Sequence, residues 1–341
     1  MSLNYKIHTQ AWPLAKEFRI SRGAKTQADV VVLMLTDGKH TAWAESVPYA
    51  RYGETLASVV AQIEHIMPSV HSELTGGELL TIMPAGAARN VIDCALWDLK
   101  AKQAQTNVHT LLSLALKTEL NTAQTLSLDA PDKMAKAAGE LKTNPLIKIK
   151  LDADDILGKM QQIHHSAPNS QFIIDANEAW NIDILTDILP KLVPLNVALI
   201  EQPLPSEQDE LLTGFKPAIP LCADESCHVA ADLEHLQNKF QAVNIKLDKT
   251  GGLTEAVNLM QQAKQRGFII MTGCMVGTSL AMAPAYLIGA YSSFVDLDGP
   301  LLLANDRADG FSFNRGCMSS ASATLWGRAD NKQMMEHLHL I

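Results

Sequence analysis

Eight apolar runs recur along residues 119–303, each closing on a polar or charged residue at nearly constant spacing. Their last residues are Ser127, Lys150, Asp175, Glu201, Asp224, Lys246, Cys274 and Asp296, separated by 23, 25, 26, 23, 22, 28 and 22 residues. An interval near 25 residues is about what one buried strand plus one crossover helix occupies. Eight such units close a parallel barrel, so the sequence predicts an α/β fold of the (β/α)8 type, a modified TIM barrel leaner than the usual ~250 residues. Active sites of such barrels lie at the carboxyl ends of the strands, which is where these charges fall.

The first 118 residues follow another pattern. Residues 28–36 are β-branched and aliphatic, Asp37-Gly38-Lys39 is a turn, and residues 41–47 alternate, which predicts a hairpin. Ile20-Ser21-Arg22-Gly23 reads as a mobile polar loop, and residues 48–54 as a second loop leading into a helix over about 54–66. Apolar residues recur at helical spacing through 85–116, enough for two helices. Residues 1–118 are therefore expected to form an α+β capping domain and 119–303 the barrel. The tail, about 304–341, is poor in helical pattern and is expected to return and complete the cap.

Bulk properties remove several functions. A net charge of −9 with no Lys/Arg-rich run excludes a polyanion held by bulk electrostatics, so nucleic acid is not an expected partner. Residues 268–295 carry no charge, but Gly273, Gly277 and Pro284 break the run; it predicts strand, loop, helix and strand rather than a membrane span. Five scattered cysteines without a Cys-x-x-Cys, and no signal-like amino terminus, predict a reduced, cytoplasmic setting. Whether copies of the chain assemble is not legible.

The chemistry resides in the strand ends. Asp175, Glu201 and Asp224 each close an apolar run, where a lone carboxylate is costly to desolvate. Three in phase on consecutive strands would converge, and their repulsion calls for a cation. Oxygen-only donors point to Mg²⁺, with Mn²⁺ second. Lys150 and Lys246 lie four strands apart and would face each other across the barrel mouth. A lysine between a dication, another cation and apolar walls should have a depressed pKa and serve as a base. Lys148, two residues from Lys150, points the same way and can supply that extra positive charge. His164-His165 and His337-x-His339 lack metal-site partners and read as surface residues, and Met271, Met275 and Met282 read as core. No phosphate-binding glycine motif and no Gly-x-Ser-x-Gly elbow is present.

Taken in order, Lys148-Ile-Lys150, Asp175-Ala-Asn177, Glu201-Gln-Pro203, Ala223-Asp224-Glu225-Ser226 and Asn244-Ile-Lys246 resemble the enolase superfamily, muconate-lactonising subgroup, along essentially the whole chain. A Lys or His base with Mg²⁺ stabilising an enediolate is the known chemistry of that superfamily. Asp296-Leu-Asp298-Gly-Pro300 resembles the Asp-x-Asp element of dipeptide epimerases of the L-Ala-D/L-Glu type, where two carboxylates hold the substrate's α-ammonium. The resemblance further implies that Arg22 contacts an acidic substrate side chain, and that Thr125, Cys274 and Val276 contact the dipeptide backbone. Cys274 departs from the serine common in relatives, and Gly277 from an acidic residue of the wider subgroup.

The resemblance implies a Mg²⁺-dependent isomerase that inverts the second α-carbon of a dipeptide such as L-Ala-L-Glu by two-base proton transfer, within peptidoglycan peptide metabolism. Two rivals are a muconate cycloisomerase or o-succinylbenzoate synthase-like lyase, whose acidic substrates Asp296 and Asp298 would repel, and a barrel that binds its ligand without catalysis.

Overall fold

The computed structural model describes residues 3–320, 322 and 324–328; His337 and His339 lie outside them. Three antiparallel strands begin the chain: β1 (Asn4–Ile20), β2 (Gly23–Thr36) and β3 (Thr41–Ser46). The β2–β3 hairpin is the one the sequence predicts, with residues 37–40 between the paired Thr36 and Thr41. β1 is the strand that the sequence did not announce. It pairs with β2 from Asn4↔Thr36 to Ile20↔Gly23, so the stretch expected to be a mobile loop is the tight tip of a long hairpin.

Helices α1 (Leu56–Ile66), α2 (Gly76–Ile82) and α3 (Ala87–Gln103) cover one face of this sheet. Thr55 and Thr75 start the first two with capping boxes to Ser58 and Glu78, which satisfy the free amides of the first turn. α3 presses buried apolar residues, Val91, Ala95 and Leu99 among them, against the aliphatic run of β2. A short α4 (Val108–Leu111) and β4 (Glu119–Asn121) lead into the barrel.

Eight parallel strands follow: β5 (Gln124–Leu126), β6 (Leu146–Lys150), β7 (Gln171–Asp175), β8 (Val197–Glu201), β9 (Leu221–Ala223), β10 (Ala242–Ile245), β11 (Ile269–Thr272) and β12 (Phe294–Val295). The edges meet where Ala123 donates its N–H to Val295 O at 2.7 Å. Crossovers are made by α5 (Pro131–Glu140), α6 (Ile156–Ser166), α7 (Ile182–Leu192), short turns ending in α8 (Leu233–Leu236), the single turn α9 (Leu247–Thr250) with α10 (Leu253–Gln265), and α11 (Ser279–Gly289). Inward side chains Ala123, Leu146, Ile173, Leu199, Cys222, Ala242 and Met271 fill the interior, so the barrel is a packed core rather than a pore. The uncharged run 268–295 is divided among β11, α11 and β12, and among the described residues no helix is long and apolar enough to cross a membrane. His165 is exposed, and His164 lies half-buried beside Phe172. Met271, Met275 and Met282 are buried.

After α12 (Gly299–Leu302) the chain returns to the cap. Leu303 bridges Leu14, Ala304 donates to Pro13 O at 2.8 Å, and Trp326 Nε1 donates to Cys94 O at 3.1 Å. Two short strands follow, β13 (Phe313–Asn314) and β14 (Cys317–Ser319); β13 pairs with β14, and β14 with β4.

Buried polar groups fasten cap to barrel. Glu45 of β3 accepts from Thr278 N at 2.8 Å and from Arg307 Nη2 at 2.6 Å. Asp93 of α3 accepts from Thr254 N at 2.9 Å at the start of α10. The turn before it needs glycine at 252, where φ is +119° and a Cβ would lie 2.5 Å from the Asp93 side chain. Asp248 Oδ1 accepts from Val47 N at 3.0 Å and Asn90 Nδ2 at 2.7 Å.

Burial pushes the Asp248 carboxyl up to about 7 despite those two bonds. Its folded value thus exceeds the ordinary one near 4, so its contribution to stability is complete below about pH 4 and is lost as pH rises through 7. Asp248→Asn, which retains the accepting oxygen, should flatten the pH dependence of the urea midpoint between about pH 4 and 7. At pH 8 it should stabilise by at least about 1 kcal/mol, the worth of a one-unit shift.

Candidate active site

The parallel register gathers the strand-end charges. Lys150 pairs in register with Asp175, and Asp175 with Glu201, so three consecutive strands present their charges at one level. Asp175, Glu201 and Asp224 each offer an oxygen within 4.8 Å of the others, and all three are buried. Lys148 Nζ lies among them, 3.0 Å from Asp175, 2.7 Å from Glu201 and 2.7 Å from Asp296. Lys150 Nζ lies 2.5 Å from Asp175 Oδ2, and Lys246 Nζ lies 2.5 Å from Asp224 Oδ2 on the far side. The two lysines expected to oppose each other therefore flank the carboxylates from β6 and from the end of β10.

Residues to which the sequence assigned no role of their own hold these groups in place. Lys249, one helical turn after Lys246, is fully buried and donates to Asp224 Oδ1 and O at 2.6 Å each and to Asn244 O at 2.9 Å. Asn244 Nδ2 donates to Glu201 Oε1 at 2.6 Å. Gln202 joins β8 to β9, accepting from Asp224 N at 2.9 Å and donating to Leu204 O and Ser226 Oγ. Asn177, Glu178 and Gln202 all adopt left-handed backbone, at φ of 45°, 67° and 34°. Such conformations cost free energy for residues with a side chain, and they cluster where a site fixes its backbone. The signal for Asn244 was its place two residues before Lys246, hence on the same strand face.

The electrostatics follow from this crowding. Burial pushes the Lys148 and Lys246 ammonium groups down, but the carboxylates around them outweigh it and hold both well above the usual lysine value. At these two lysines the protein groups alone favour the ammonium, whereas the depression expected from the sequence presupposes a dication beside the carboxylates. Burial likewise opposes ionisation of Asp224, yet Lys246 and Lys249 hold it well below its ordinary value. Glu201 is raised, first by burial and then by Asp175. Among the described residues, Asn177 Oδ1, Glu201 Oε2, Glu225 Oε2 and Asn244 Oδ1 are buried without a hydrogen-bond partner; Glu201 Oε2 lies 2.7 Å from Lys148 Nζ but outside hydrogen-bond angles. Three converging carboxylates, one with an unspent buried oxygen, fit a hard divalent cation.

The remaining predicted residues line the same cavity, about 990 Å³ in volume. At the closing seam Thr125 N donates to Asp298 Oδ2 at 2.6 Å. Burial and the neighbouring Asp296 push Asp298 up to about 7. Cys274 and Val276 form part of the wall. Arg22, at the β1–β2 tip, is pinned over the mouth, donating to Asn177 O at 2.8 Å, Glu178 at 3.0 Å, Tyr49 at 3.2 Å and Glu225 at 2.6 Å. These contacts explain why that segment is a built part of the site and not a free loop. Gly277 has a local cause: a Cβ there would meet Val47 Cγ2 at 3.0 Å and Glu45 Oε1 at 3.1 Å.

Known proteins are similar to this chain. An N-acetyl-D-glutamate racemase from Pseudoalteromonas sp. is 49% identical over 89% of this chain and 97% of its own. The L-Ala-D/L-Glu epimerase of Escherichia coli K12 is 44% identical over 91% and 98%. An enolase family member from Agrobacterium tumefaciens with homology to dipeptide epimerases, solved with bound sodium and L-Ala-L-Glu, superposes with a TM-score of 0.92 at 44% identity, covering 95% of this chain and all of that one. Residues 2–113 match the mandelate racemase/muconate lactonizing enzyme N-terminal domain, and residues 133–318 match the enolase C-terminal domain-like family. The chain belongs to the enolase superfamily, in its mandelate racemase/muconate-lactonizing branch.

Proposed function

We propose that the protein is a Mg²⁺-dependent dipeptide epimerase that inverts the second α-carbon of dipeptides such as L-Ala-L-Glu. The observation that carries this reading is the pairing of opposed lysines, Lys150 and Lys246, with a carboxylate pair, Asp296 and Asp298, at the closing seam. One lysine takes the α-proton and the ammonium of the other returns a proton to the opposite face, which is what inversion requires. Asp175, Glu201 and Asp224 would hold the Mg²⁺, with Mn²⁺ as the alternative. Bound there, the ion supplies a Lewis acid that offsets charge developing on the substrate carboxylate. Lys148 fixes the metal-site carboxylates and Asp296 relative to one another. Asp298 receives the α-ammonium, Thr125, Cys274 and Val276 border the peptide, and Arg22 meets an acidic second side chain.

In this scheme residues 119–303 form the catalytic barrel, and residues 1–118 with the returning tail form the cap. A cytoplasmic setting and substrates drawn from peptidoglycan peptides complete the proposal; the five free cysteines are consistent with a reducing compartment.

A second reading has its own support in the relative that racemises N-acetyl-D-glutamate. L-Ala-Glu and N-acetyl-Glu are both N-acylated glutamates; the alanyl group carries an amino group and one more carbon than acetyl. Asp298 is the residue whose charge separates them.

Lys150→Ala and Lys246→Ala should each lower epimerisation of L-Ala-L-Glu with Mg²⁺ by about 10²–10⁴-fold. NMR in D₂O should show one of the two still exchanging the α-proton of its own isomer. Full epimerisation by both variants would discard the two-base scheme. Asp298→Asn should lower kcat/KM for L-Ala-L-Glu by roughly tenfold or more, the worth of one charged hydrogen bond, and leave N-acetyl-L-glutamate unimpaired. Equal loss on both substrates would remove the ammonium-binding role.

A further inference from the structure

The cavity is larger than the proposed substrate, and its two ends differ in lining. At about 990 Å³ it reaches the upper end of the ~300–1,000 Å³ range of pockets that enclose drug-sized molecules, so a dipeptide beginning with alanine fills only part of it. The topology sets what lies at each end. Arg22 docks on residues that follow β7 and β9, whereas Asp298 follows β12 at the closing seam beside β5. The end that reads an acidic side chain and the end that reads an ammonium are therefore on opposite sides of the mouth.

Beyond Asp298 the wall turns apolar. Asp298 is the N-cap of α12, and Leu302 at the far end of that single turn lines the same cavity. A four-residue helix rises only about 6 Å, which places Leu302 within one side chain's length of the carboxylate. The next residue, Leu303, bridges Leu14 of β1, and Leu14 also faces the cavity. Phe18 and Ala28 from the hairpin and Met275 from the loop after β11 continue this wall. Leu14, Phe18 and Leu302 are all half-buried, and so retain apolar surface that a ligand can cover.

We propose that Leu14, Phe18, Ala28, Met275 and Leu302 form a subsite for a large apolar side chain on the first residue of the dipeptide, so that the substrate class is X-Glu with X extending to leucine and phenylalanine. This rests on the dipeptide epimerase reading. The first residue's amino group stays at Asp298 while its side chain passes along α12 toward Leu14. A pocket closed around the methyl of alanine would reject larger groups by about 10–200-fold per added methylene. The open wall removes that penalty.

Epimerisation of L-Ala-L-Glu, L-Leu-L-Glu and L-Phe-L-Glu by the full chain with Mg²⁺ tests this directly, followed by α-proton exchange in D₂O. The expected result is that kcat/KM for the two larger peptides lies within about tenfold of that for L-Ala-L-Glu. Turnover of L-Ala-L-Glu with the larger peptides more than about a hundredfold slower overturns the subsite alone. Turnover of none of the three overturns the epimerase reading and the subsite with it. Leu14→Trp supplies an internal control: filling the wall should lower the ratio of L-Phe-L-Glu to L-Ala-L-Glu turnover by about tenfold or more, and an unchanged ratio counts against the subsite.

Discussion

Four carboxylates and four lysines share the mouth of one barrel, and their mutual neutralisation is the constraint on which the rest of the structure depends. Asp175, Glu201, Asp224 and Asp296 are all buried, as are Lys148, Lys150, Lys246 and Lys249. Any one of them alone would be too costly to desolvate. Together they form a network in which Lys148 touches three carboxylates and Asp224 touches two lysines. The backbone meets this demand by parallel pairing, which holds strand ends at one level, and by left-handed residues just beyond β7 and β8.

Much of this arrangement was legible in the chain because a charge that ends an apolar run is rarely accidental. Asp175, Glu201, Asp224, Lys150 and Lys246 stood out for that reason, and the spacing between them set the barrel. Lys249 did not stand out, and Asn244 and Gln202 entered only as motif residues without a role, since their partners lie across strand boundaries and depend on register that spacing does not specify. β1 escaped for another reason. As an edge strand of the cap it leaves most of its residues exposed, so it lacks the clean alternation that marks a half-buried strand. Missing it turned the Arg22 tip into an apparent loop. The expected lysine pKa presupposed a dication beside it, and the carboxylates that raise Lys148 and Lys246 are the same groups that a cation would neutralise.

The cap is as much a part of the site as the barrel. Its hairpin carries Arg22 to the mouth, its second loop brings Tyr49 and Arg51, and Arg51 holds Glu178 through two bonds of 2.9 Å. Glu178 in turn meets Arg22, so two arginines from separate cap segments converge on one barrel carboxylate. In the proposed reaction recognition is thereby divided: residues from the barrel handle the reacting centre, and residues from the hairpin and loops shape what surrounds it. Loops on a rigid scaffold are where such specificity is usually varied.

Gly277 bears on how such a protein can change over generations. The space a side chain would need there is filled by Val47 and by Glu45, which is itself tied to Thr278 and Arg307. A new acidic group at the end of the seventh barrel strand would place two like charges in contact within the seam. Positions 45 and 277, more than two hundred residues apart in sequence, therefore share one small volume: a side chain at 277 fits only if Val47 and the glutamate of the cap give way.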